Sequence, residues 1–332
     1  MREFVRGAAW WTEDGRVVRA DPADRERLPG DTWERAGFPA GVRLEFTARG
    51  VSAVEVAYTA SPASGVDASG ADASGADAFL AAPPVFTLLA GKDAFDTPAA
   101  PGEHLTRIQL PYLNGDITVH LPETLRPVLH GVRAVDGTLT PAARRPRWLV
   151  YGDSIAEGWS ASRPHLAWPA LAGRALGVET VNLGYAGAAR GESASAEQLA
   201  ALDADLITVA FGTNCWSRTP HSARLLYETT LAFLSLVRRG HPKAPLLLVS
   251  PVLRPDAEAA PNALGATLGA LRAAVERAAR DAGADLLPGG GLLHAGQLVD
   301  GVHPGDAGHG VIADAVASAL RRGQSCQSWA AS

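Results

Sequence analysis

Two hydrophobic periods divide the chain. Up to about Arg147, apolar residues recur at every second position: Val42, Leu44 and Phe46, then Val54, Val56 and Tyr58, then Ile108 and Leu110, then Ile117, Val119 and Leu121. Pro, Gly and Asn separate these runs. A period of two puts alternate side chains on opposite faces of a pleated strand, so this part predicts short antiparallel strands stacked as a sandwich. It offers no long amphipathic helix. Residues 61–78, SPASGVDASGADASGADA, carry a short ASGAD repeat. Such a stretch has too little apolar surface to bury, and it is expected to be a solvated loop between strands.

From Trp148 onward the pattern becomes strand, loop, helix, repeated. Strands are expected at 148–151, 179–183, 206–211, 246–249 and 284–287. Helices are expected at 166–176, 222–239, 262–282 and 307–321. Alternation of this kind predicts a parallel sheet with helices on both faces. The linker TPAARRPR, residues 140–147, is the expected junction. It divides an N-terminal β-sandwich domain over 1–143 from an α/β domain over 144–324, with a flexible tail at 325–332.

Composition narrows the chemistry by exclusion. The chain has 332 residues, 47% of them hydrophobic and 20% charged, with a net charge of −5 and no block of either sign. Nucleic acid calls for a basic face, and this chain has none in its sequence. It also has no polybasic membrane anchor and no apolar run of about 18 residues, so no membrane partner is expected. MREFVRGAAWW lacks the apolar core of a signal peptide, which suggests a cytoplasmic protein. Only Lys92 and Lys243 among the 30 basic residues are lysines; with the abundant alanine and glycine, this suggests a GC-rich bacterial genome. Cys215 and Cys326 are the only cysteines, and they form no metal spacing.

Ligands of doubly wound sheets bind at the carboxyl ends of the strands. Four segments fall there. Gly152-Asp153-Ser154-Ile155-Ala156-Glu157-Gly158 follows the first strand of the second half; read alone, it could equally be a turn with Asp or Ser as a helix cap. Asn182-Leu183-Gly184-Tyr185-Ala186-Gly187 follows the next strand, and its small residues would let a backbone N–H approach a ligand. Gly212-Thr213-Asn214 ends the third strand, where the asparagine amide could donate. Asp300-Gly301-Val302-His303-Pro304 precedes the last helix. Three residues apart on a tight loop, Asp300 can accept from His303 Nδ1 and leave Nε2 as a base.

In order and placement these four segments resemble the SGNH/GDSL hydrolases, over residues from about 148 to 322. The resemblance implies a flavodoxin-like sheet, with Ser154 as nucleophile and Asp300 and His303 as its partners. It implies an oxyanion hole made by the Ser154 N–H, the Asn214 side chain and the N–H of Gly187, with Gly184 the alternative. Two positions depart from the family's usual blocks: Ile155 replaces leucine, and Cys215 follows Asn214 where an aspartate is common. The chain-wide pattern also resembles a two-domain subgroup in which a jelly-roll-like β-sandwich comes first; PGEHLTRIQLPYL and ITVHLPE carry that likeness.

Trp159 and Trp216 are candidates for the substrate pocket or for ordinary packing, and Trp168 is expected in the core. Arg190 and Arg218 could meet an anionic substrate, though solvated surface arginine is the simpler expectation. His294, His303, His309 and Asp306 lack metal-ligand spacing, and His309 is expected as an ordinary polar residue of the last helix. No metal or cofactor is implied. No G-x-S-x-G, P-loop, dinucleotide G-x-G-x-x-G or H-E-x-x-H is present. The resulting expectation is an esterase acting on a small acylated metabolite or sugar. The alternatives are an acyltransferase, using an ester or thioester donor and an alcohol acceptor, and a non-catalytic carbohydrate- or partner-binding protein. Oligomeric state is not legible.

Overall fold

The computed structural model describes residues 1–62 and 84–324. Most of the expected loop 61–78 and the expected tail 325–332, with Cys326, lie outside the described residues. Ser61 and Pro62 close a strand and are not part of a loop.

The N-terminal region opens with β1 (Val5–Arg6) and a small ladder of β2 (Trp10–Trp11) and β3 (Val17–Val18). The only α-helix among its described residues is the short α1 (Gly30–Ala36). Eight strands follow: β4 (Arg43–Arg49), β5 (Ala53–Pro62), β6 (Val85–Ala90), β7 (Asp93–Pro98), β8 (Gly102–Gln109), β9 (Asn114–His120), β10 (Leu125–Val135) and β11 (Thr138–Pro141). One antiparallel sheet runs β1-β4-β9-β6-β7, with β11 on the free side of β4; the other runs β10-β5-β8. The alternation read from the sequence explains their stacking. Leu44, Phe46, Ile117 and Val119 from one sheet and Val54, Val56 and Tyr58 from the other enclose a single buried core. A one-residue slip in either ladder would turn that set out to solvent, so burial fixes the register.

The C-terminal region is the expected parallel sheet: β12 (Arg147–Gly152), β13 (Glu179–Gly184), β14 (Leu206–Ala210), β15 (Leu246–Val249) and β16 (Asp285–Leu287). Its order, β13-β12-β14-β15-β16, is flavodoxin-like. Both faces are covered. Leu149, Tyr151, Ile207, Val209 and Leu248 point to one side, against α4 (Ser193–Ala201), α5 (Ala223–Gly240) and α6 (Leu268–Asp281). Trp148, Val150, Leu247 and Val249 point to the other, against α3 (Trp168–Leu176) and α7 (Asp306–Gln324). Ala20, Leu28 and Ala36 of the N-terminal region join the first of these cores. The two regions therefore share buried apolar surface.

Two helical expectations need correction. The helix expected over 262–282 begins at Leu268, with the Thr267 side chain capping it. Before it, Asn262 Oδ1 accepts from the N–H groups of Leu264 and Ala266 and holds a loop instead. Asn and Asp offer the backbone such local partners, which compete with helix formation. The sequence also gave no sign of α4, whose SASAEQLAA lacks a strong apolar stripe. Its small residues pack closely: Ala194, Ser195 and Ala196 are all buried.

Candidate active site

β12, β13 and β14 pair so that Gly152 lies opposite both Gly184 and Ala210. Three of the four segments singled out in the sequence therefore leave the sheet side by side. After Gly152 the chain turns into the four-residue helix α2 (Ser154–Glu157). Asp153 caps it, its Oδ1 accepting from the Ile155 N–H at 3.1 Å. The cap reading and the reactive-serine reading of this segment are thus compatible. Burial pushes the Asp153 carboxyl up to about 6, opposed by the Ile155 N–H.

Ser154 is the first residue of α2, where backbone N–H groups lack intrahelical acceptors. Its N–H has no partner among the described residues. Its Oγ lies 2.8 Å from His303 Nε2. His303 Nδ1 in turn lies 2.7 Å from Asp300 Oδ2. The other Asp300 oxygen accepts from the backbone N–H groups of His303 (2.7 Å) and Val302 (3.0 Å). Burial alone would raise the Asp300 carboxyl, but these bonds hold it below the usual carboxylate range. An ionised Asp300 accepts from Nδ1–H, which leaves the Nε2 lone pair directed at the serine hydroxyl. The loop is fixed by Val299 N–H donating to the His303 carbonyl at 2.8 Å.

Asn214 sits in a single 3₁₀ turn after β14 and is buried. Its Nδ2 donates to the Ala189 carbonyl at 3.3 Å, which leaves its second N–H available. The two glycines of the neighbouring loop differ in kind. The Gly184 N–H is taken by Asn182 Oδ1 at 2.8 Å, and a Cβ on Gly184 would lie 2.4 Å from the Glu157 nitrogen. Gly184 thus serves the close packing of α2 on β13. Gly187 has φ +71°, which suits glycine, and its N–H has no partner among the described residues.

The tryptophans separate. Trp168 is fully buried against Trp148, as expected. The Trp159 ring lies against His303, centroids 5.3 Å apart, and the Arg35 guanidinium covers it at 5.5 Å. Trp216 is half-buried. Its Nε1 donates to the Ala260 carbonyl and Arg254 lies over its ring; no ring contact with His303 is recorded among the described residues. Cys215 is fully buried, which raises its thiol well above the usual range and keeps it protonated.

Two surface expectations are overturned. Arg190 is not a solvated arginine; it is half-buried between Glu192 (2.9 Å) and Asp31 (2.8 Å). His309 is not an ordinary polar residue. It is fully buried, Nδ1 accepting from the Trp168 N–H at 3.2 Å and Nε2 donating to the Trp159 carbonyl at 3.0 Å. Burial pushes its imidazole down to about 4. Arg218 is exposed, and its guanidinium lies against Gly187.

Three residues beside the site have roles that the sequence does not reveal. Glu157, at the far end of α2, is buried and bonded to Arg19 and Arg35 of the N-terminal region and to the Ala186 N–H. Only the apolar surroundings of Glu157 could have flagged it, since nothing in the chain's order pairs it with residues more than 120 positions away.

Residues 150–311 match the model of the GDSL-like lipase/acylhydrolase family. No curated protein matches the chain. Solved structures resemble it over nearly its whole length. A salicylyl-acyltransferase, SsfX3, from a tetracycline biosynthetic pathway aligns with a TM-score of 0.80 and 24% identity, over 98% of this chain and 95% of that one. A GDSL-like lipase from Bacteroides ovatus aligns with a TM-score of 0.75 and 19% identity, over 96% and 95%. A family two carbohydrate esterase from Cellvibrio japonicus aligns with a TM-score of 0.63 and 16% identity, over 96% and 94%. At these identities the likeness speaks for the fold, including a β-rich region ahead of the parallel sheet.

Proposed function

We propose that this chain, whose residues 150–311 match the GDSL-like lipase/acylhydrolase family model, is an SGNH-type enzyme that cleaves carboxylic esters through an acyl-enzyme on Ser154. The observation that carries the reading is the bonded series Ser154–His303–Asp300, at 2.8 and 2.7 Å. His303 takes the proton as Ser154 Oγ attacks the ester carbonyl, and Asp300 holds the ring and stabilises the imidazolium that forms. Charge develops on the carbonyl oxygen. The N–H groups of Ser154 and Gly187 and the second amide N–H of Asn214 are the donors proposed to receive it. His303 then protonates the leaving alcohol, and water attacks the acyl-enzyme. We propose a small acylated metabolite or sugar as substrate, with Trp159 as one wall of its pocket. In this reading residues 1–143 form a separate domain that shapes the cleft of 144–324.

A second reading replaces water by an alcohol and the ester donor by an ester or thioester. The end-to-end likeness to a salicylyl-acyltransferase, over 98% of this chain, favours it. Hydrolysis of p-nitrophenyl esters from acetyl to octanoyl, and of the benzoyl ester, tests both. Steady turnover by wild type with a loss on the order of 10⁶-fold in Ser154→Ala is expected for the hydrolase. A single burst of nitrophenol followed by a stall, relieved by added alcohol, would favour the transferase. Equal turnover by both proteins would overturn the assignment of Ser154.

A further inference from the structure

We infer that Arg19 is a positioning residue for ester cleavage: through Glu157 and the Gly184 carbonyl it sets the Gly187 N–H against Ser154. The inference rests on the proposed roles of Ser154 and of the Gly187 N–H.

Arg19 has no solvent exposure, and each of its three side-chain nitrogens donates a hydrogen bond. Nε donates to the Phe38 carbonyl at 2.7 Å, Nη2 to the Arg35 carbonyl at 2.6 Å and to Glu157 Oε1 at 3.1 Å, and Nη1 to the Gly184 carbonyl. The Arg19 carbonyl accepts from the Tyr185 hydroxyl. The same carboxylate accepts from the Ala186 N–H at 2.6 Å, while Arg35 grips both its oxygens. Three consecutive residues, Gly184, Tyr185 and Ala186, are therefore each tied to one ionic cluster. The next residue is Gly187. With no Cβ, glycine adopts the φ of +71° seen here and also has more alternative backbone conformations open to it than any other residue. Anchoring the carbonyl at 184 and the N–H at 186 removes that freedom, and the Ala188 N–H bond to the Tyr185 carbonyl (3.0 Å) closes the turn.

The cluster also fixes the other side of the hole. Glu157 ends the single helical turn that Ser154 begins, so one carboxylate links the serine's helix to the glycine's loop. Arg35 continues the series: its guanidinium covers the Trp159 ring, which in turn lies against the His303 imidazole. A buried carboxylate facing two guanidinium groups costs desolvation that a purely apolar packing would avoid. A planar five-donor fork can bond several fixed acceptors at once, which a point charge cannot. What the arrangement gains is orientation, and small misplacement of a donor costs rate steeply, on the order of 10²-fold for about 1 Å.

The test compares wild type with Arg19→Met, Arg19→Lys, Glu157→Gln and Ser154→Ala on one p-nitrophenyl ester. Each protein is first checked by circular dichroism and assayed well below its melting temperature. Inhibition by an alkylboronic acid is measured in parallel, because its serine adduct puts a charged oxygen where the transition state does. Arg19→Met is expected to lower kcat by roughly 10–100-fold with KM within about threefold, and to raise the boronate Ki by the same factor. Arg19→Lys should fall between. If Arg19→Met does not fold, Glu157→Gln, which keeps an acceptor for Ala186, should lower kcat by roughly 3–10-fold in the same pattern. Folded variants with kcat within twofold of wild type, or a kcat loss with unchanged boronate Ki, would overturn the positioning role. If those variants match wild type while Ser154→Ala is inactive, only Arg19 loses its role. If Ser154→Ala retains full turnover, the serine reading fails and the inference with it.

Discussion

The two ends of α2 lie three residues apart in opposite surroundings. At one end Ser154 meets His303 and Asp300, whose side chains keep contact with solvent. At the other end Glu157 is sealed between Arg19 and Arg35, with side-chain exposure of 5% or less throughout. The difference separates two uses of charge. In the proposed mechanism the open end changes protonation in every cycle, which calls for an ionisable partner and access to water. The sealed end holds its charges fixed, so they contribute geometry and are costly to disturb.

Glu157→Ala should break the sealed end most severely. It strands two guanidinium groups in a dry junction, and an equilibrium urea titration is expected to show a loss of about 3–5 kcal/mol. The open end should behave in reverse. Asn214→Ala is expected to lower kcat by about 10²–10³-fold, seen in initial rates, with a urea midpoint close to wild type. Stability lost at Asn214 and rate lost without stability at Glu157 would invert the comparison. A smaller effect sharpens it. Glu123 lies near Arg19, Arg35 and Glu157, and burial raises its carboxyl to about 7, against the bond it accepts from the Gly41 N–H. A raised carboxyl favours the folded state fully below the unfolded value of about 4.5, and that contribution is lost as pH rises through 7. Glu123→Gln should therefore stabilise the protein at pH 8 by about 1–3 kcal/mol and change little at pH 4. Thermal melts at the two pH values measure the difference.

The open end was legible in the sequence because its parts are local. Asp300 and His303 are three residues apart, and Ser154 follows a strand whose apolar run is unmistakable. The strands of the parallel sheet were legible for the same reason, as were β4, β5, β8 and β9 in the first region, since burial on one or two faces writes itself into a period; β6, β7 and β10 carry no such strict alternation in the runs singled out. The helix over 262–282 was read too long because the local bonds of Asn262 are invisible to a hydrophobic pattern. α4 was missed because packing of small residues leaves little periodicity. The sealed end was illegible for a different reason. Arg19 and Glu157 are 138 positions apart, and no local rule joins an arginine in a β-rich stretch to a glutamate after a serine. His309 was misread likewise, because its burial depends on where Trp159 and Trp168 come to rest.

The shared cluster also bears on how such chains could be recombined. A crossover within 142–146 would separate Arg19 and Arg35 from Glu157, although it would leave every strand and helix of the described residues whole. The unit that must be inherited together is therefore not a run of sequence but a three-residue ionic set spanning the junction. A chimera that exchanged the first half for a sandwich without the two arginines would keep its serine, histidine and aspartate and still inherit an orphaned carboxylate beneath them.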